Sequence, residues 1–253
     1  MIELGEDILN VFYELFTELP RQGPGSNECT ARAYGFFEGV PKFPKILDIG
    51  CGTGMQTLEL ARLSEGKVTG LDKHQDALDK LEAKSIDLGL IGNIETKNGS
   101  MFDLPYPDDS FDIIWAEGSI YIMGFEEGLT NWRRFLKPKG FVAVTEVSWL
   151  KPSPPTELET FWKNEYPGIK SVEENIEIIT QTGYKLIKNF TLPDSVWWDQ
   201  FYLPLEKRIA ELEPIYKGNN KARDVLEITK LEIEYYRKYS DYYGYVFYIM
   251  KKN

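Results

Sequence analysis

The chain has 253 residues, 42 % of them hydrophobic and 27 % charged, an ordinary balance for a globular protein able to bury its own core. Its net charge of −11 repels phosphate backbones and argues against nucleic acid as a partner, and two cysteines with one histidine cannot make a Cys/His zinc cluster or a disulfide framework. The apolar runs are too short to span a membrane and the N-terminus, MIELGEDILN, is acidic where a secretory signal is basic, so a cytoplasmic setting with no membrane partner and no metal is expected.

In chain order, Ile8, Phe12, Leu15, Phe16 and Leu19 recur at helical spacing and predict an amphipathic helix over 6–19. Its polar face lacks Lys and Arg, which favours packing against the protein over lying on a lipid surface. The loop PRQGPGS, 20–26, reads equally as a linker or as a lid, with Arg21 and Gln22 able to reach a ligand. From Lys45 onward short apolar runs alternate with helical patterns. Strands are expected at 45–49, 67–72, 94–98, 111–117 and 141–147. Helices between them are marked by Met55, Leu58 and Ala61, then Leu78, Leu81 and Leu88, then Leu129, Trp132 and Leu136. Such a rhythm means a parallel sheet covered on both faces. Prolines in KPSPP, 151–155, interrupt it. Beyond them, helices are expected at 157–166 and 172–182, a strand at 184–192, a mostly helical stretch over 195–240 with Val225, Ile228, Leu231 and Tyr235 on one face, and a last strand at 243–251.

The first strand runs into DIGCGTGM, with Gly50, Gly52 and Gly54 at alternate positions and Asp48 just ahead. Glycines between a strand and a helix let the backbone turn tightly and approach a ligand at the sheet's C-terminal edge, where the helix N-terminus offers free N–H groups. A nicotinamide dinucleotide calls for G-x-G-x-x-G, but Met55 stands where the third glycine would fall. The carboxylate of Asp48 suits a cation better than a pyrophosphate. S-adenosylmethionine (SAM) carries a sulfonium and an ammonium and no phosphate.

LDIGCGTG, with GLD at 70–72, GSMFDLPYPDDSFDIIWAEG at 99–118 and LKPKGFVAV at 136–144, resembles the class I SAM-dependent methyltransferases, and more narrowly the methyltransferase type 11 branch that includes quinone-biosynthesis enzymes. The resemblance covers roughly residues 40–150. It implies a doubly wound α/β fold: a mostly parallel seven-stranded, Rossmann-like sheet whose last strand is antiparallel. It also implies SAM as cofactor, S-adenosylhomocysteine (SAH) as product, and a small-molecule acceptor methylated by in-line displacement. Residues 1–40 are expected to form an N-terminal helix and lid, and 41–253 the SAM-binding domain, with 193–241 as a helical insertion or cap. Trp197, Trp198, Phe201 and Tyr202 in that insertion read first as core, with a substrate cap or a homodimer contact left open. The rival readings are a non-catalytic SAM- or SAH-binding protein and a nicotinamide-dependent oxidoreductase.

The candidate cofactor residues are Asp48, Gly50, Cys51, Gly52, Gly54, Met55, Asp72, Lys73, Ser100, Met101, Glu117 and Arg21. Asp72 ends the second strand about 20 residues past the loop, where an acid can accept both ribose hydroxyls; capping the next helix is its alternative. Two departures from the family stand out. Gly99-Ser100-Met101 replaces the usual Gly-Asp-Ala, leaving Ser100 and Met101 to meet the adenine. Lys139 replaces a common glycine, which costs on the order of 1 kcal/mol if φ there is positive. Glu117 and Tyr121 are the candidate catalytic residues, and Gln22, Tyr121, Glu146 and Trp149 the candidate substrate contacts. His74 reads as a residue at a helix start, not a base.

Overall fold

A computed structural model describes residue 11 and residues 13–253. One sheet runs through the molecule in the order β3-β2-β1-β4-β5-β8-β7. Its strands are β1 (Lys45–Ile49), β2 (Lys67–Asp72), β3 (Ile94–Asn98), β4 (Phe111–Ala116), β5 (Leu136–Trp149), β7 (Tyr184–Thr191) and β8 (Tyr243–Lys252), and the two-residue β6 (Lys170–Ser171) pairs with the end of β5. β1 to β5 are parallel, while β8 runs antiparallel to both β5 and β7. The chain thus has the expected strands and the expected reversed last strand, plus β6, which is too short to leave a periodic signal.

Burial explains the strand sequences. β4, FDIIWA, is buried along its whole length, as a central strand covered on both faces must be. β3, IETKN, is the sheet's edge and is polar and largely exposed. Neighbouring residues of one strand enter different cores because side chains alternate across a strand. Leu47, Ile114, Val142 and Tyr248 pack with Phe125 and Leu129 of one helix (Phe125–Trp132) and Ile179 of another (Val172–Gln181). Ile46, Ile113, Trp115 and Phe247 pack on the opposite side with Ala33 (helix Asn27–Tyr34) and Leu60 (helix Met55–Ser64).

A third core lies at the end of β5 and β8. Val147 and Tyr243 meet Phe161 and Trp162 of the helix Thr156–Glu165, Trp197 and Tyr202, and Leu226 and Tyr236 of the long helix Asn220–Tyr239. Leu15 and Leu19 enter it too, so the N-terminal segment packs on the helical layer. Ile8 and Phe12, expected on the same stripe, lie outside the described residues.

Three helix assignments need correction. Leu136 begins β5, because the preceding helix ends at Trp132 and a 3₁₀ turn (Arg133–Phe135) follows. Leu88 caps its helix, Gln75–Asp87, and is 62 % exposed. On the long helix the buried stripe is Ala222, Leu226, Thr229, Ile233 and Tyr236, while Ile228 faces solvent. Apolar residues on flanking faces mimicked the buried one, and only tertiary contact distinguishes them. Lys139 does adopt a positive φ, +65°.

Candidate active site

Asp48 leaves β1 fully buried. Its Oδ2 accepts a 2.5 Å hydrogen bond from Thr57 Oγ1, and its Oδ1 has no partner. Burial pushes its carboxyl up to about 7; the Thr57 bond opposes this and the charges of Glu117 and Asp72 add to it. Gly50, Gly52 and Gly54 follow with φ of +72°, +54° and +81°, the left-handed region that only glycine enters freely. A Cβ on Gly50 would stand 2.5 Å from Ser119 Cβ, and one on Gly54 would stand 2.2 Å from Leu81 Cδ1. At Gly50 and Gly54 the loop is therefore pressed against its neighbours and has no room for a side chain. Cys51 is buried under it, with its thiol pushed well up by burial.

Asp72, at the end of β2, braces the loop. Its Oδ2 accepts from Gly52 N at 2.8 Å and its Oδ1 from His74 N at 3.0 Å. A carboxylate oxygen has more than one acceptor site, so lone pairs remain for a ligand. Lys73 is exposed and only its carbonyl is engaged, by Asn98 Nδ2. His74 is half-buried, its ring centroid 3.9 Å from that of Tyr13, and burial lowers its pKa. Tyr13 lies in electrostatic range of Asp72. It brings the N-terminal segment over this edge of the loop, a placement no local signal announced. Ser100 Oγ accepts from Phe102 N, forming a turn. Met101 Cε lies 3.6 Å from the position of a Gly50 Cβ, so its side chain does reach the cradle. Met55 opens the helix after the loop, beside Lys84, whose Nζ donates to Thr53 O at 3.2 Å.

The segment PRQGPGS closes over these groups. Gln22 Oε1 accepts from Thr53 N at 3.0 Å and Thr53 Oγ1 at 3.2 Å, while its Nε2 donates to Leu19 O at 3.1 Å. Arg21 Nη1 lies 3.3 Å from Glu117 Oε2, with both side chains nearly inaccessible, and its Nη2 donates to Asn27 Oδ1 at 2.8 Å. Glu117 Oε1 accepts from Thr30 Oγ1 at 2.7 Å and Trp115 Nε1 at 2.9 Å. Both carboxylate oxygens of Glu117, named above as a cofactor contact and as a catalytic candidate, are thus occupied by protein donors. Gln22 likewise serves the glycine loop. Arg21, Gln22, Gly50, Gly52, Glu117 and Gly118 line one cavity. The glycines bring backbone to it, and its one acid, Glu117, is paired with Arg21.

The other candidate substrate residues gather beyond Gly118. Glu146, 1 % exposed near the end of β5, accepts a 2.6 Å hydrogen bond from Tyr166 Oη on its Oε1, and its Oε2 has no partner. Burial pushes its carboxyl up to about 8, with the Tyr166 bond pulling the other way. Tyr121 meets the Tyr166 ring edge-on at 5.9 Å. It is 39 % exposed, yet surrounding protein and then the charges of Glu232 and Glu146 push its hydroxyl up to about 12. Trp149 is half-buried against Tyr243, in the third core. Among the described residues no group of three or more His, Cys, Asp or Glu is arranged to hold a metal, and no helix is long and apolar enough to cross a membrane.

The family described as Methyltransferase domain matches residues 46–140, from β1 into β5. The sterol 24-C-methyltransferase erg-4 of Neurospora crassa is 32 % identical over 113 residues, 44 % of this chain and 29 % of that protein. The ubiquinone/menaquinone biosynthesis C-methyltransferase UbiE of Psychromonas ingrahamii is 34 % identical over 113 residues, 44 % of this chain and 45 % of that one. The chain thus spans less than half the length of these two relatives. In fold it is similar to YjhP from E. coli (TM-score 0.83, 16 % identity, 96 % of this chain and 100 % of that one). It is also similar to a SAM-dependent methyltransferase from Geobacter sulfurreducens in complex with SAH (TM-score 0.79, 18 % identity, 96 % and 98 %). The glycine cradle, its two flanking acids and the matched methyltransferase domain thus all lie on β1 to β5, and over residues 46–140 the chain is similar to SAM-dependent methyltransferases.

Proposed function

We propose that this protein transfers the methyl group of SAM to a small-molecule acceptor. The observation that carries the proposal is the cradle: three left-handed glycines braced by Asp72 from one side and undercut by the orphan Oδ1 of Asp48. The residues fit the cofactor. Backbone is bare where Gly50 and Gly52 line the cavity, and the acids flanking the loop, Asp48 and Asp72, suit a sulfonium and an ammonium better than a pyrophosphate. When bound, SAM supplies an electrophilic methyl on a positive sulfur.

In this reading Asp72 receives the ribose hydroxyls. Gly50, Cys51, Gly52, Gly54 and Met55 present backbone, and Lys73, Ser100 and Met101 flank the adenine end. Arg21 and Glu117 close the methionine end as an ion pair, and Gln22 latches the lid to the loop. Residues 1–40 act as helix and lid on the domain formed by 41–253, and 193–241 cap the acceptor side. Tyr121 and Glu146 face the acceptor, with Trp149 supporting their wall. The chain's work is to hold the acceptor in line and keep water out. Such positioning is worth ~7–11 kcal/mol without any covalent role for the protein.

The test is transfer of label from methyl-labelled SAM to a panel of small acceptors. Label in an organic product supports the proposal. SAH binding without transfer to any acceptor would favour a cofactor-binding protein, and thermal protection by NAD but not by SAH would favour an oxidoreductase.

A further inference from the structure

The geometry points to a basic amine as the methyl acceptor, held as its ammonium by Glu146 and Glu232 within a wall of tyrosines. This inference rests on the methyltransferase reading above and narrows it to a substrate class.

Gly118 joins the two halves of the site. It lines the cofactor cavity, and a Cβ placed on it would lie 3.7 Å from Tyr245 Cε2 and 3.8 Å from Tyr245 Oη. Tyr245 packs on Trp197 at 5.1 Å between centroids, and Trp197 packs on Tyr202 at 5.5 Å. Tyr202 Oη donates to Glu232 Oε1 at 2.9 Å. On the other side Tyr121 meets Tyr166, which donates to Glu146. The polar ends of Tyr121, Tyr166, Glu146 and Glu232 all lie in electrostatic range of Tyr245. Five distant parts of the chain therefore converge beside the cavity that would hold the methyl donor.

The charge balance there is one-sided. Among the described residues no Lys or Arg forms an ion pair with Glu146 or Glu232, although Arg237 and Lys238, on the same helix as Glu232, pair with Glu206 and Glu157. The titratable groups facing Glu146 are Tyr121, Tyr166, Tyr245 and Tyr248. Those facing Glu232 are Glu165, Tyr121, Tyr202, Tyr243 and Tyr245. None is a cation. Buried carboxyls with no cation beside them stay protonated, and an arriving ammonium would let them ionise as its partners. Tyrosine faces add attraction for a desolvated cation. The orphan Oε2 of Glu146 can accept a donor hydrogen, which an ammonium offers and an alkene or a thioether lacks. A phenolate, thiolate or carboxylate acceptor would be repelled.

The pair also accounts for the proton. An ammonium has no lone pair, and passing one N–H proton to a carboxylate restores it. Nitrogen then forms its bond to the methyl carbon as the carbon–sulfur bond breaks, with that electron pair left on sulfur. The product is the N-methylammonium, and the carboxyl releases its proton to water.

The test uses the full chain saturated with SAH and three probes sharing one skeleton: phenethylamine, 2-phenylethanol and phenylacetate, titrated calorimetrically. The amine is expected to bind at least about tenfold more tightly than the alcohol, and the acid not at all. Glu146→Gln and Glu232→Gln, which keep an acceptor for Tyr166 and Tyr202, should each lower amine affinity about tenfold and leave the alcohol and SAH unchanged. Equal binding of amine and alcohol, preference for the acid, no binding of any probe to the SAH complex, or unchanged selectivity in both variants would overturn the inference while leaving the methyltransferase reading in place. Failure of SAH itself to bind would remove both.

Discussion

The two ends of the site solve the same problem, holding acids away from water, in opposite ways. At the glycine loop Asp72 takes two backbone N–H groups and Glu117 takes Arg21, Thr30 and Trp115, while Asp48 beneath them has Thr57 alone. Among the tyrosines Glu146 and Glu232 each have one phenol and, among the described residues, no cation. In the first region Asp72 and Glu117 are locked in place by protein donors. In the second the carboxyls are held up by burial, and the proposed ammonium is the partner that would let them ionise. Pre-organisation at one end and carboxyls without a cation at the other fit a protein that grips one ligand with backbone and selects the other by charge.

Breaking the donor-paired end should cost most. Arg21→Ala leaves Glu117 buried beside Thr30 and Trp115 alone, and is expected to lower stability by about 3–5 kcal/mol in urea unfolding. A loss under about 1 kcal/mol would mean that the pair is dispensable for closing the lid. Gly50→Ala meets both a left-handed backbone and Ser119, and should cost about 2–4 kcal/mol in the same assay, with loss of SAH binding. Retained SAH affinity would remove the close-approach argument for the loop.

The tyrosine-lined end should announce itself through pH. Burial raises Glu146 to about 8 and Glu232 to about 7, so the folded chain holds these protons more tightly than the unfolded chain. That contribution is complete below the unfolded carboxyl range, near 4.5, and is lost as pH rises through 7 to 8. Asp48, raised to about 7, adds in the same direction. The Tm should fall between about pH 5 and pH 8, and Glu146→Gln should flatten that fall by at least about 2 °C. An unchanged slope would show that Glu146 is already ionised at neutral pH. The smallest effect, and the one stabilising change, is Lys139→Gly. Relief of the +65° φ, offset by glycine's extra chain entropy, should add about 0.5–1 kcal/mol, and destabilisation would deny the strain.

The same contrast decided what could be read from the sequence. Asp48, the three glycines and Met55 are contiguous, and their order dictates a strand, a turn and a helix. Asp72 follows at the end of the next strand. Local pattern was enough for the sheet and the cradle. The contacts of the 20–26 segment span 31 and 96 residues, so Gln22 on Thr53 and Arg21 on Glu117 left no trace in local spacing. Tyr166, Glu232 and Tyr245 went unnoticed because each looks like one more amphipathic position until the helical layer folds onto the end of β5 and β8. Tyr13 was hidden in the same way, as an aromatic residue in an apolar stripe. Ile228 and Leu88 erred in the other direction, being apolar residues that periodicity alone assigned to a core.

The central claim is most directly tested by titrating the wild-type chain and Asp72→Ala with SAH in a calorimeter. The account predicts saturable binding by the wild type and a loss of about 1–3 kcal/mol in the variant, because both the ribose and the Gly52 amide lose their acceptor. No heat at millimolar SAH, or equal affinity in the two proteins, would contradict it.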